Sequence, residues 1–384
     1  MNKQERALKV INVAGARPNF MKIAPLMKAY RKHSSIEPIL VHTGQHYHEG
    51  LSDLFFKDLE IPPPDVHLNV GSASHAVQTA EVMKRFETVL IDHRPDLVVV
   101  VGDVNSTIAA ALTSVKMGIP VAHVEAGLRS FDQTMPEEVN RVLTDAISGY
   151  LFTTERSADE NLKKEGIAAE KIFFVGNVMI DTLLKYRDMA KQSSVLKRLG
   201  LEEEGIAPYA VLTLHRPGNV DQKETFEAIL EGVAALSKNI PVVFPVHPRT
   251  RKQIDQSAFG QYFVNDQSPA GLRTGIHLIE PLGYLDFICL MGNAKLVMTD
   301  SGGIQEETTV LGIPCLTLRN NTERPVTITE GTNFLVGNTG QKIIDAATKA
   351  LNGGTFRGHI PELWDGKAAE RIVAILEDRL SGRG

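Results

Sequence analysis

Asp103 and Glu125 each stand at the end of an apolar run, and Glu137 and Glu138 open a helical stretch shortly after. Carboxylates at the ends of neighbouring strands converge on one cleft, where burial and mutual repulsion raise one pKa and create a general acid or base. Asp103 also reads as an N-cap ahead of Asn105 and Ser106, and the glutamate pair as partners of a helix dipole. Cations stand elsewhere. In GARPNFMK, Gly15 ends a strand, Pro18 suits a first helical turn, and Arg17 and Lys22 flank the helix start. Two cations are electrostatically out of place beside a helix N-terminus unless an anion sits between them. In TDSGGIQEE a strand runs into Ser301, Gly302 and Gly303 and then a helix. This reads either as a phosphate seat of open N–H groups or as a plain serine N-cap with a glycine turn. Glu307 lies one turn in, within reach of a sugar hydroxyl or on a solvated helix face. His215 and His247 end strands, and Arg216-Pro217-Gly218 holds His215 at a rim.

These motifs need strands that end together. The chain alternates short apolar runs with helical stretches, the pattern of parallel sheets covered on both faces. The expected strands of the first half are Lys9–Val13, Ile39–Thr43, Leu97–Val101, Val121–Val124, Leu151–Thr153 and Ile172–Val175. Those of the second are Tyr209–Leu214, Val242–Val246, His277–Ile279, Leu296–Thr299, Cys315–Leu318 and Phe334–Val336. Helices fall between them, including Glu138–Ser148 and Ile304–Leu311. The fold class is therefore α/β, two doubly wound domains. We place the first at residues 1–182 and the second at 206–366. A helix over 367–384 is expected to return to the first domain. In open α/β sheets ligands bind beyond the carboxyl ends of the strands, where every motif above lies.

Composition narrows the function. The chain has 384 residues, 43% hydrophobic and 23% charged, a globular balance. The net charge is −5 and no basic block occurs, which argues against nucleic acid as a partner. The longest apolar run, Leu97–Gly102, is far too short to span a membrane, and the N-terminus lacks the apolar core of a signal peptide. A cytoplasmic location is expected. Cys289 and Cys315 sit in apolar surroundings and read as buried hydrophobes. His46 and His48 have no HExxH or cysteine cluster beside them, so no metal site is expected. No GxGxxG fingerprint occurs, so no nicotinamide cofactor is expected either.

In order along nearly the whole chain stand GARPNFMKIAPL, VHTGQHY, VGDVNST, HVEAGLRS, MPEEVNR, VGNVMIDT, LHRPGN, DSGGIQEE, LGIPC and TERPVTITEGTN. This series resembles the non-hydrolysing UDP-N-acetylglucosamine 2-epimerases. The resemblance implies two Rossmann-like, GT-B-like domains with the active site in the cleft between them, and a homodimer. It implies conversion of UDP-GlcNAc to UDP-ManNAc through UDP elimination to 2-acetamidoglucal and re-addition, for surface polysaccharide precursors and without cofactor. By motif, Asp103, Glu125, Glu137 and His215 match the family's catalytic candidates. Arg17, Lys22, Ser301, Gly302, Gly303, Glu307 and Arg324 match its UDP-binding positions, and Phe287 an aromatic near the uracil.

One stretch departs from the family pattern. Gln45-His46-Tyr47-His48 stands where many bacterial members carry Gln-His-Arg-Gln, used to bind a second UDP-GlcNAc as activator. Loss of the arginine and the last glutamine argues against that activation here. Rival readings are an epimerase of UDP-2,3-diacetamido-2,3-dideoxy-glucuronic acid, a hydrolysing epimerase, a GT-B glycosyltransferase and a nucleotide-sugar sensor. Thr322-Glu323-Arg324-Pro325 favours UDP-GlcNAc over the first, whose members usually read TEW there.

Overall fold

The computed structural model describes residues 6–45, 59–202, 205–256, 258–264, 272–352 and 358–381. It divides into two compact units, Met1–Thr182 with Glu362–Gly384, and Leu183–Pro361.

The first unit is built on strands β1 (Leu8–Ala14), β2 (Ile36–His42), β3 (Val66–His67), β4 (Leu97–Val101), β5 (Val121–Ala126), β6 (Tyr150–Thr153) and β7 (Ile172–Phe174). Their order is β3-β2-β1-β4-β5-β6-β7, parallel throughout. Helices α1 (Arg17–Tyr30), α2 (His75–His93), α3 (Asn105–Lys116), α4 (Pro136–Ile147) and α5 (Arg156–Lys164) alternate with them, and α6 (Val178–Ala190) carries the chain from the first unit into the second. All five residues of β4, Leu-Val-Val-Val-Val, are buried, as a central strand covered on both faces requires. From β1 the chain winds outward through β2 and β3, then returns to the other side of β1 with β4. The topological switch point thus lies between β1 and β4, and the turns that leave it are GARPNFMK and GDVNST.

The second unit repeats the plan with β8 (Ala210–Thr213), β9 (Val242–Pro245), β10 (Ile276–Ile279), β11 (Leu296–Thr299), β12 (Cys315–Thr317) and β13 (Asn333–Leu335). The order is β10-β9-β8-β11-β12-β13, again parallel. Its helices are α7 (Val195–Arg198), α8 (Pro217–Val220), α9 (Lys223–Ser237), α10 (Pro248–Asp255), α11 (Tyr284–Gly292), α12 (Gly302–Leu311), α13 (Val326–Thr329) and α14 (Gly340–Leu351). The switch point falls between β8 and β11, whose following turns are HRPGN and DSGG. The two-residue edge strand β3, the single-turn helices α8 and α13 and the eight-residue α10 were not among the expected elements. Elements that short carry no readable period. None of the described helices is long and apolar enough to cross a membrane.

The last helix, α15 (Ala368–Ser381), belongs to the first unit and packs on α1. Asp181 caps it, accepting from the Ala368 and Ala369 amides at 3.1 and 2.7 Å. Just before it, Trp364 is buried and its indole N–H donates to the Thr154 carbonyl at 2.9 Å. Trp364→Phe keeps an aromatic ring, gives up part of the indole's volume and strands that carbonyl. We expect a loss of about 1–3 kcal/mol, read as a lower urea midpoint by circular dichroism. An unchanged midpoint would show that the bond does not help to seat the C-terminal segment.

Candidate active site

At the first switch point the side chains form a tightly paired acid and base cluster. Val101 lies beside Val124 in the β4–β5 register, and the Gly102 amide donates to the Val124 carbonyl at 3.1 Å. Asp103 and Glu125 therefore leave adjacent strand ends. Glu125 has φ 76°, left-handed backbone rarely adopted by a side chain other than glycine. The β5–β6 register shifts at the same place, between Val124 and Ala126. A bulge of this kind re-aims a side chain, and such strain persists where the surroundings over-determine it. Here the surroundings include Lys22, whose Nζ pairs with Glu125 Oε2, both groups buried. The anion that a cation at this helix start called for is, for Lys22, the protein's own carboxylate. Removing one partner of such a pair typically costs about 3–5 kcal/mol. Arg17 is the first residue of α1; the placement of its side chain lies outside what the structure describes, as do His46, Tyr47 and His48.

Asp103 is half-buried and does not cap α3, whose N-cap is Val104. Instead Arg141 Nη1 donates to Asp103 Oδ2, and Asn140 Nδ2 to the Asp103 carbonyl at 2.9 Å. Both partners come from α4. Glu138, on the same helix, accepts from the Ser130 and Phe131 amides at 3.0 and 2.8 Å and from Arg141 Nη2 at 2.6 Å. Burial alone would raise its pKa, but these amides and the Arg141 charge outweigh burial and hold it below the usual carboxylate range. Glu138 is thus a fixed anion, while Glu137 beside it stays partly exposed in the first turn. Asn19 ties the β1 turn to β4: its Oδ1 accepts from the Gly15 and Ala16 amides, and its Nδ2 donates to the Val101 carbonyl at 3.1 Å. A Cβ on Gly15 would stand 2.4 Å from Ser106 Oγ, so the turn needs glycine there.

At the second switch point the start of α12 is open. Its N-cap, Ser301, makes no side-chain cap bond, and no acidic residue occupies the first turn. The amides of a helix start left in this state suit an anion. A Cβ on Gly302 would come within 2.7 Å of Glu323 Oε1, so this glycine lets the Glu323–Arg324 segment close on the helix start. Arg324 is buried with its Nε 2.5 Å from Glu306 Oε1. Burial would raise the Glu323 pKa, but Arg319, Arg216 and Arg324 hold it well below the ordinary value. Behind β11, Asp300 is buried and accepts from the Arg216 amide at 2.9 Å, from Asn219 Nδ2 at 3.2 Å and from His215 Nδ1 at 3.0 Å. It fixes the HRPGN turn, with the His215 side chain half exposed. His247 caps α10, its Nδ1 accepting from the Arg249 amide. Phe287 is half-buried on α11. From the same helix Tyr284 Oη donates to Glu307 Oε1 at 2.9 Å.

Glu307 is buried rather than on a solvated face. Asn19, Asn140, Arg141, Asp300 and Tyr284 were not singled out from the sequence; each acts through a partner remote in the chain. Asp300 alone carried a local signal, as the residue between β11 and Ser301. Among the described residues no group of three or more His, Cys, Asp or Glu side chains gathers as a metal would need.

A family model described as UDP-N-acetylglucosamine 2-epimerase matches residues 28–377. The chain belongs to the UDP-N-acetylglucosamine 2-epimerase family. A UDP-N-acetylglucosamine 2-epimerase homolog of Methanococcus maripaludis is 46% identical, covering 97% of this chain and all of that one. The crystal structure of the Methanocaldococcus jannaschii UDP-GlcNAc 2-epimerase, solved with UDP-GlcNAc and UDP, superposes with a TM-score of 0.88 at 42% identity, over 97% of this chain and 100% of that chain. A UDP-2,3-diacetamido-2,3-dideoxy-D-glucuronate 2-epimerase of Pseudomonas aeruginosa is 38% identical over 96% of this chain and 99% of its own. The 2-epimerase family is a family of isomerases, and its fold is the α/β, GT-B-like class expected from the sequence.

Burial, with Glu306 adding to it, pushes the Glu307 pKa from 4.5 up to about 8, against the Tyr284 hydrogen bond. A carboxyl raised on folding stabilises the folded form fully below its unfolded pKa, and that contribution is lost as pH rises through the folded one. Stability of the ligand-free protein should therefore fall between 4.5 and about 8 through this group. Glu307→Gln should flatten that fall, so that the variant gains on the parent in urea midpoint between about pH 5 and about pH 9. Parallel midpoint curves would contradict the buried, protonated state.

Proposed function

We propose that the protein interconverts UDP-GlcNAc and UDP-ManNAc by elimination and re-addition of UDP. The C2–H and C1–O bonds break, a C1=C2 bond forms, and UDP departs with the bonding pair, leaving 2-acetamidoglucal. UDP then adds back at C1 while a proton is delivered to the opposite face of C2. The observation that carries this reading is the pairing of Asp103 with Arg141 and Glu125 with Lys22 at neighbouring strand ends. An acid–base pair serving two faces of one carbon needs carboxylates held in fixed orientation.

In this proposal Asp103, Glu125 and Glu137 carry the C2 proton, and His215, anchored by Asp300, assists proton transfer. The Ser301 hydroxyl and the amides of Gly302 and Gly303, with Arg17 and Arg324, receive the diphosphate, with Lys22 adding positive charge to its field. Glu307 takes the ribose hydroxyls and Phe287 faces the uracil. The C2 proton is weakly acidic, so stabilising the departing diphosphate must supply much of the rate. No nicotinamide or metal enters the scheme. We further propose a cytoplasmic homodimer supplying surface polysaccharide precursors. Val139, Val142 and Leu143 on α4 and Phe131 before it are exposed apolar side chains that suit self-association.

The 38% identity to a UDP-2,3-diacetamido-2,3-dideoxy-D-glucuronate 2-epimerase favours a second reading, that sugar as substrate. The purified protein given UDP-GlcNAc alone should yield an equilibrium mixture with UDP-ManNAc, resolved by anion-exchange chromatography. Turnover of only the diacetamido sugar would transfer the proposal to that substrate. Asp103→Asn, Glu125→Gln and Glu137→Gln should each lower kcat by about 10²-fold or more. Near-normal turnover in any folded variant would remove that residue from the proton-transfer set.

A further inference from the structure

His123 lies in the middle of β5 and is completely buried. Both ring nitrogens face acceptors. Nδ1 is 2.6 Å from Asp145 Oδ1, and Nε2 is 2.8 Å from the Gly102 carbonyl oxygen. A carbonyl can only accept. Asp145 already accepts from the Gly127 amide at 3.0 Å and from Arg129 Nη1 at 2.7 Å, as an ionised carboxylate does. Burial alone would raise the Asp145 pKa, but the charges and hydrogen bonds of His123 and Arg129 outweigh it and keep it below the ordinary value. With acceptors on both sides, both ring nitrogens must carry hydrogen.

A cation buried inside a strand is costly unless it is paired and hydrogen-bonded, and an apolar residue of similar size would fill the space more cheaply. What this cation holds is the carbonyl of Gly102, the residue directly before Asp103 and itself in left-handed backbone at φ 65°. The same short loop is gripped at its next carbonyl by Asn140 and at its carboxylate by Arg141. His123 supplies the third hold, the only one of these three that comes from the sheet rather than from α4.

We propose that His123, doubly protonated between Asp145 and the Gly102 carbonyl, is the positioning residue that sets Asp103 for proton transfer at C2. The inference rests on the epimerase reading given above. His123 does not touch the substrate; it acts through the Gly102–Asp103 peptide.

Two conservative variants separate positioning from simple support. In Gln the carboxamide nitrogen stands where Nε2 does, so His123→Gln keeps a donor for Gly102. In Asn it stands where Nδ1 does, so His123→Asn keeps the bond to Asp145 and leaves Gly102 without one. His123→Asn should lower kcat by on the order of 10²-fold, the effect of a small displacement of a reacting group, with KM for UDP-GlcNAc little changed. His123→Gln should recover most of that loss, although it gives up the bond to Asp145. Equal kcat losses in the two variants, following their losses in thermal stability, would overturn the inference. In case either variant fails to fold, ¹⁵N-histidine NMR of the intact enzyme at neutral pH reads the same arrangement directly. The His123 ring should show two nitrogen-bound protons, and a single one would overturn the inference. Absence of turnover by the parent protein would instead refute the epimerase reading, with the ring protons still answering for His123.

Discussion

A carboxylate can be buried only where a cation and hydrogen bonds replace its water. At the β4 and β5 ends of the first unit that constraint shapes nearly everything nearby. Glu125 is matched by Lys22 from α1, Asp103 and Glu138 by Arg141 from α4, and Asp145 by His123 and Arg129. Two of these pairs, Glu125 with Lys22 and His123 with Asp145, cross from β5 to a helix and tie that helix to the sheet. The strained backbone at Glu125 fits the same logic. An undistorted β5 would alternate its side chains between faces, and the bulge re-aims this one.

The second unit meets a different demand. Its strand ends carry several acids beside an uncapped helix start. Glu323, Glu306 and Asp300 are each paired, with Arg319 and Arg216, with Arg324, and with His215 respectively. The amides at the start of α12 are left without an acid or a serine hydroxyl to cap them. Glu307 is the exception among these acids, its pKa pushed up by burial with no cation among the described residues beside it to offset the cost.

Much of this was legible in the amino-acid sequence, because strand ends in a doubly wound sheet are marked by where apolar runs stop. Leu97–Val101 was expected as a strand and is β4 to the residue. Val121–Val124 fell two residues short of β5, since Glu125 and Ala126 continue the strand through a bulge that no polarity pattern announces. The helix expected from Glu138 begins at Pro136, which takes the first helical position. The pairings were not legible. Lys22 and Arg17 looked alike beside a helix start, and nothing local tells that Lys22 is committed to Glu125. Arg141, which pairs with both Asp103 and Glu138, reads in the sequence as one more helical arginine. Specific ion pairs depend on register and side-chain reach across the sheet, neither of which a single chain displays.

In the proposed reaction the paired carboxylates of the first unit move a proton at C2 while UDP leaves and returns. Incubating the enzyme with UDP-GlcNAc in heavy water and following the sugar by NMR tests it most directly. Deuterium is expected at C2 of the UDP-ManNAc formed, and of recovered UDP-GlcNAc as the reaction approaches equilibrium, with no other ring position labelled. Epimerisation that proceeds with the original C2 hydrogen retained would contradict it.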